Sequence, residues 1–157
     1  MSEPRLVTRS RHGYVLHLGA EERAVVAHLL DELRSLLQAP GAAAPALARL
    51  FPVVHPERPD QEAEYQRLMR DELLQSRLGA IDTVQRVLGG SGRKVTLDEG
   101  QLMAFMQSIN SIRLVLGTML DVTEDDEPTP DDSPEHHLYG YLSWLLDASV
   151  RAVSGAG

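Results

Sequence analysis

Residues 96–120 read TLDEGQLMAFMQSINSIRLVLGTML and carry the clearest helical pattern of the chain. Six apolar side chains follow one another there at alternating spacings of three and four residues. They are Leu102, Phe105, Ile109, Ile112, Leu116 and Met119. This regular seam is typical of a helix that packs lengthwise in a bundle. Thr96 and Glu99 have the spacing of a capping box, so we predict a helix over about 97–120.

Three further amphipathic segments predict the other helices of the bundle, at about 20–38, 60–88 and 134–153. Proline and glycine mark their ends, with Pro134 at the favoured first position of the last helix. The buried stripe expected for the helix over 60–88 consists of Tyr65, Leu68, Leu74, Leu78, Ile81, Val84 and Leu88.

The N-terminal segment, at about 5–18, predicts a β-hairpin. Tyr14, Leu16 and Leu18 alternate with Val15 and His17, which is the period of a strand with one buried face. A lone hairpin is marginal in water, so it must lie on an apolar surface. We therefore predict a single domain over 1–157 of the mainly α (α+β) class, with an N-terminal β-hairpin packed on a bundle of four principal helices.

The composition excludes several classes of protein. The 157 residues contain no cysteine, which excludes disulfides, thiolate metal sites and cysteine nucleophiles. The formal net charge of −8 argues against a general nucleic-acid clamp. Because the chain shows no export signal and no apolar run long enough to span a bilayer, we expect a cytoplasmic protein without a membrane partner.

The segment 121–135 is strongly acidic: it holds eight of the 23 acids and no base, which leaves 15 acids and 15 bases elsewhere. It therefore supplies the whole net charge. An EF-hand loop counted from Asp121 would need glycine at position six and usually glutamate at position twelve, where Asp126 and Asp132 stand. We expect a solvated acidic loop, or a docking segment for a basic partner, rather than a calcium site.

No pattern of residues points to catalysis. The histidines lack the HExxH spacing of a zinc site, and the serines lie outside any GxSxG context. Gly89–Gly92 lacks the lysine and the preceding strand of a phosphate-binding loop. His136 and His137 are interpreted as a polar first turn of a helix. We expect a non-enzymatic protein without a metal or a cofactor.

Two polar side chains lie beside the apolar seam of the helix over 97–120. Asn110 and Arg113 share a stripe with Met106 and Gly117. A buried charge without a partner is costly, so we expect an acid from another helix, such as Glu64 or Asp71, to pair with them. A buried pair that sets the helix register is favoured, and a pocket for a small-molecule sensor is the alternative.

Arg5, Arg9 and Arg11 make the predicted hairpin locally basic. Arg5 and Arg9 have the same strand parity, so they can share one face. A DNA-binding transcriptional regulator that uses this hairpin is one hypothesis. An edge strand protected from aggregation by its charges is the favoured interpretation, because the strongest helix has Arg113 as its only base.

Aromatic residues accompany the apolar stripe of the last helix. Tyr139, Tyr141 and Trp144 are the candidate interaction surface, since aromatic side chains are enriched at interface hot spots, although most of them are expected to serve the core. The long apolar seam also suggests a homodimer, because we expect it to be more hydrophobic than one chain can cover.

Four blocks of the sequence resemble an actinobacterial family described only as a domain of unknown function. The blocks are Asp60–Arg67, Val95–Asp98, Ser108–Leu120 and Tyr139–Leu145. The resemblance covers nearly the whole chain, and its most specific part runs from Asn110 through Arg113 to Gly117. It implies no established activity. Members are often encoded beside the Clp-protease adaptor, and some are labelled transcriptional regulators.

The leading hypothesis is therefore a non-enzymatic regulatory or adaptor protein that acts through protein–protein contacts and is linked to Clp proteolysis. A DNA-binding regulator with a basic hairpin, and a small-molecule sensor with a site near Asn110 and Arg113, are the alternatives.

Overall fold

The computed structural model describes residues 6–38, 59–89, 94–120 and 134–155, with 59–63, 65 and 66 described as backbone alone. This part of the chain forms four helices and three strands. The helices are α1 Ala20–Gln38, α2 Pro59–Leu88, α3 Glu99–Met119 and α4 Pro134–Ser154, and the strands are β1 Val7–Ser10, β2 Gly13–His17 and β3 Lys94–Leu97. The predicted class, a hairpin on a bundle of four principal helices, is confirmed. Arg5 and the acidic residues 121–133 lie outside the described residues.

The three strands form one antiparallel sheet in the order β1-β2-β3. The hairpin ladder closes where Ser10 pairs with Gly13. Tyr14, Leu16 and Leu18 are buried, which confirms the expected alternation. The sequence did not predict β3, which pairs along β2 from Tyr14–Leu97 to His17–Lys94. Because β3 leads directly into α3, it anchors the start of the central helix to the sheet.

The N-terminal cap of α3 differs from the predicted one. Thr96 belongs to β3 and pairs with Val15, so it is extended three residues before α3 begins at Glu99. The capping box is formed by Asp98 and Gln101: Asp98 Oδ1 accepts from the Gln101 backbone N–H at 2.7 Å, and Gln101 Oε1 accepts from the Asp98 N–H at 2.9 Å. The prediction of a Thr96–Glu99 box is therefore wrong.

The core is built from the sheet and all four helices, and α3 packs against both α2 and α4. Four residues of the predicted seam are buried, namely Leu102, Phe105, Ile109 and Ile112. Leu116 is half-buried and Met119 is 67% exposed. A single chain thus covers most of the seam, which removes the argument for a homodimer that rested on it.

Helix α2 has 30 residues against 21 in α3, and the side chains of Glu64 and of Arg67–Glu72 are exposed. Ile81, Val84 and Leu88 are buried as predicted, but Leu68 is 59% exposed. The prediction of a buried Leu68 is wrong because the apolar stripe continues past the length over which partners cover the helix. The side chain of Tyr65 lies outside the described residues.

A polar network joins α1 to α2. Arg34 Nη2 donates to Asp82 Oδ1 at 2.5 Å and to Gln85 Oε1 at 2.6 Å. Gln85 Nε2 donates in turn to Asp31 Oδ1 at 2.8 Å. These contacts set the register of the two helices beside their shared apolar face. No helix among the described residues is long and apolar enough to cross a membrane.

Candidate functional site

Helix α4 presents an aromatic pair at its outer flank, which we call the aromatic site: Tyr141 and Trp144 on α4 with Glu22 on α1. The core-facing side of α4 is marked by the buried Leu142 and Leu145. At about 100° per residue, Tyr141 falls beside that side and Trp144 further outward. The two rings lie with centroids 6.0 Å apart and planes inclined at 35°. Trp144 is 50% exposed.

The Tyr141 hydroxyl is buried against α1. Burial, and after it the charge of the Glu22 carboxylate, raises the pKa of Tyr141 to about 12. The phenol therefore stays neutral. Its ring packs against the core, while Glu22 itself is exposed. The aromatic site thus combines the packed ring of Tyr141 with the exposed indole of Trp144, and the Glu22 carboxylate lies at its edge.

Tyr139 does not belong to this site. It is five residues from Trp144, about 140° around the helix, and it contacts a different neighbour. The Arg113 guanidinium carbon lies 5.9 Å from the Tyr139 ring centroid, within the range of a cation–π contact. The three predicted aromatic residues are therefore divided between two flanks of α4.

The polar pair beside the seam of α3 is present, but its partners differ from those expected. Arg113 Nη2 donates to Asn110 Oδ1 at 3.2 Å, and both residues are half-buried. Glu64 is exposed on the N-terminal half of α2. The prediction of Glu64 as a buried acid beside Arg113 is therefore wrong, since that carboxylate stays in water. Among the described residues, the buried Arg113 Nε has no hydrogen-bond partner.

A second arginine at the core was not singled out from the sequence. Arg77 of α2 donates through Nη1 to Ser111 Oγ at 2.9 Å, and Ser111 Oγ donates to the Gln107 carbonyl at 2.9 Å. Burial lowers the pKa of the Arg77 guanidinium. The sequence pattern that could have identified Arg77 was its position within the apolar stripe, three residues after Leu74 and four before Ile81. This contact fixes α2 against α3 and makes no opening for a ligand.

The hairpin arginines are placed at the surface. Arg9 and Arg11 are exposed, and Arg5 lies outside the described residues. The Arg9 guanidinium carbon is 5.9 Å from the Tyr14 ring centroid. Its Nη1 also lies 3.6 Å from the position that a Cβ on Gly155 would occupy. The side chain of Arg9 thus bridges the hairpin and the C-terminal end of α4, a favourable place for a cation.

Within the described ranges, no three His, Asp or Glu side chains come together in a way that would hold a metal ion. His136 is half-buried and His137 is exposed at the start of α4.

Comparison with known proteins gives one match. A family model described as "Domain of unknown function (DUF2017)" matches residues 2–153, nearly the whole chain. No curated protein and no solved structure matches the chain.

Proposed function

The chain thus belongs to the DUF2017 family, and we propose that it is a non-enzymatic regulatory or adaptor protein that acts through protein–protein contacts. One observation carries the proposal: Trp144, the only tryptophan of the chain, is half exposed and rests against Tyr141. Large aromatic side chains of this kind supply much of the binding energy at protein interfaces.

The aromatic site is suited to docking because its parts are held before a partner arrives. Tyr141 packs against the core and its hydroxyl is buried, so Trp144 rests on a neighbour that the fold already holds. A site that is already ordered loses less conformational freedom on binding. Val25, one turn beyond Glu22 on α1, is also exposed and adds apolar area. The matching partner surface is an apolar pocket for the indole, with a basic or hydrogen-bond-donating group facing Glu22.

The setting of this activity is part of the proposal. Resemblance to a family often encoded beside the Clp-protease adaptor supports a link to Clp proteolysis. Fourteen arginines against a single lysine, together with abundant alanine, match the codon usage of a GC-rich actinobacterial genome. We place the protein in the cytoplasm of such a host, where the absence of cysteine is unremarkable. A homodimer belongs to the same proposal.

Affinity capture from the native host tests the aromatic site. Wild-type protein, Trp144→Ala and Val150→Ala serve as baits, and recovered proteins are quantified by mass spectrometry. Val150 is the matched control because it is an exposed apolar residue of the same helix. We expect specific proteins, Clp components among them, to be recovered by wild type and Val150→Ala and to be depleted with Trp144→Ala.

Equal recovery by wild type and Trp144→Ala would remove the site assignment. Recovery of nothing above background by any bait would remove the adaptor function itself. A specific set of partners without Clp components would leave the adaptor and discard only its link to proteolysis.

The DNA-binding alternative is favoured by one observation, the exposure of both Arg9 and Arg11 on the hairpin. It predicts binding to labelled genomic DNA that weakens steeply with salt and is lost in the Arg9→Ala/Arg11→Ala variant. The adaptor proposal predicts no shift in mobility. An absence of any shift at low salt would end the alternative.

A further inference from the structure

A groove of about 410 Å³ opens where four elements meet, and no residue of the aromatic site lines it. The C-terminal turns of α2, the strand β3, the first turns of α1 and the start of α3 form its walls. Its lining consists of Arg23, Thr83, Arg86, Val87, Lys94, Val95, Thr96 and Gln101. Asn110 and Arg113, the pocket suggested by the sequence, are not among these residues.

The groove is basic in a chain that is acidic. The whole chain carries 23 acids against 15 bases, yet three cations and no carboxylate stand among the described residues of this lining. Arg23, Arg86 and Lys94 come from α1, α2 and β3, so they approach one space from three directions. Cations that converge in this way raise the local concentration of anions.

Neutral groups of the lining add directed hydrogen-bonding capacity. Lys94 and Thr96 are exposed on the outer side of β3, whose Val95 and Leu97 are buried. The capping box holds Gln101 Oε1 against the Asp98 N–H, so the Gln101 Nε2 group is the end left to donate. Thr83 Oγ1 donates to the Gly79 carbonyl at 3.0 Å, so it can only accept from a ligand.

We propose that this groove binds a small molecule bearing a phosphate group. Two guanidinium groups and an ammonium group match the charge and the oxygens of a phosphate. A volume of about 410 Å³ is that of a small-molecule site and exceeds what inorganic phosphate fills. The remainder of the ligand packs against the half-buried Val87, and Thr83 accepts from one of its hydroxyl groups. A sugar phosphate or a nucleotide has this chemistry.

Titration of the full chain with defined probes tests the site. Inorganic phosphate, ribose 5-phosphate and ADP are added at constant ionic strength while backbone amide shifts are followed by NMR. The variant is Arg86→Gln/Lys94→Gln, which changes two exposed side chains without opening the core. The control is Arg67→Gln, an exposed arginine of the same helix about 28 Å from Arg86 along its axis.

We expect saturable shifts at the amides of Thr83, Arg86, Lys94, Thr96 and Gln101. Ribose 5-phosphate or ADP should bind more tightly than inorganic phosphate, and the double variant should bind them at least about tenfold more weakly. Arg67→Gln should bind like wild type. Tight binding of ADP alone would identify a nucleotide site. Tight binding of ribose 5-phosphate would identify a sugar-phosphate site.

The proposal is overturned if no probe gives saturable shifts at millimolar concentration, or if the shifts persist unchanged in the double variant. Binding of a synthetic peptide of residues 121–133 where the phosphate probes fail would also overturn it, because the groove would then take acidic protein segments. Trp144 does not line the groove, so neither result depends on the outcome of the capture experiment.

Discussion

Among the described glycines, Gly13 has the least room for a side chain. Its φ of +152° is one that side-chain-bearing residues rarely adopt, and a Cβ there would lie 2.3 Å from the Leu97 carbonyl oxygen. Gly13→Ala must therefore move β2 away from the end of β3. We expect a loss of about 1–3 kcal/mol in the free energy of unfolding, measured by urea denaturation.

Gly79 provides the matched control for that substitution. It is exposed in the middle of α2, and a Cβ added there would meet nothing within 4 Å. Gly79→Ala should stabilise the protein by about 0.5–1 kcal/mol, because alanine loses less backbone freedom in a helix. Equal effects of the two substitutions would show that the sheet does not need glycine at position 13.

Tyr141 makes stability depend on pH in the alkaline range. Its pKa rises from an ordinary value of 10.0 to about 12 in the folded state, first because of burial and then because of Glu22. The folded state thus favours the neutral phenol. The resulting stability is fully present below pH 10 and is lost as the pH rises from about 10 to about 12.

The measurement is urea denaturation at several pH values across that window. Tyr141→Phe has no phenol to ionise, so its stability should fall less steeply than that of wild type. Glu22→Gln removes the charge but not the burial, so it should lie between the two. Parallel curves for all three proteins would contradict a raised pKa at Tyr141.

At the scale of single elements, the start of α3 offers a direct comparison between two caps. Asp98 exchanges two hydrogen bonds with Gln101, whereas Thr96 is paired within the sheet. Asp98→Ala should lower the free energy of unfolding by about 1 kcal/mol. Thr96→Ala should change it by less than about 0.5 kcal/mol. Urea denaturation of both variants measures these changes. A larger loss of stability in Thr96→Ala than in Asp98→Ala would support the cap expected from the sequence.

The same element shows what sequence patterns determine and what they leave open. The seam from Leu102 to Ile112 was predictable because burial imposes helical periodicity on the sequence itself. The strand β3 was not, because Lys94–Leu97 offers only two alternations, and Thr96 also fits a capping signal. Leu68 shows the opposite error, because it was predicted to be buried and is exposed. Periodicity tells which face of a helix is apolar, but not how far a neighbouring element covers that face.

At the scale of the whole molecule, the candidate sites differ in how visible they were. Tyr141 and Trp144 are three residues apart, so helical spacing alone brought them together. Arg23 is 63 residues from Arg86, and Arg86 is eight residues from Lys94. The packing of α1 on α2 and the pairing of β3 with β2 bring the three cations together. A sequence pattern can report neighbours along a helix, but it cannot report convergence between distant segments.

The homodimer is the prediction that concerns the entire molecule, and it needs an apolar surface other than the seam of α3. Val87 near the end of α2 and Gln101 near the start of α3 line the same groove, and Arg77, earlier in α2, contacts Ser111, later in α3. The two helices therefore run antiparallel. Leu68 lies about 13 Å before Arg77 along α2, and Met119 about 12 Å beyond Ser111 along α3. Both therefore reach the same end of the bundle.

Leu68 and Met119 are the most exposed large apolar residues described, and Met69 is exposed beside Leu68. Contact through this end would remove all three from water, and burial of apolar area is what drives such association. We expect light scattering to give about twice the chain mass of 17.3 kDa. Leu68→Ser/Met119→Ser should shift the protein towards the monomer, whereas Met103→Ser, an exposed control nearer the other end of α3, should not. A monomer mass that is independent of concentration would contradict the dimer, and a dimer that survives the double substitution would place its interface elsewhere.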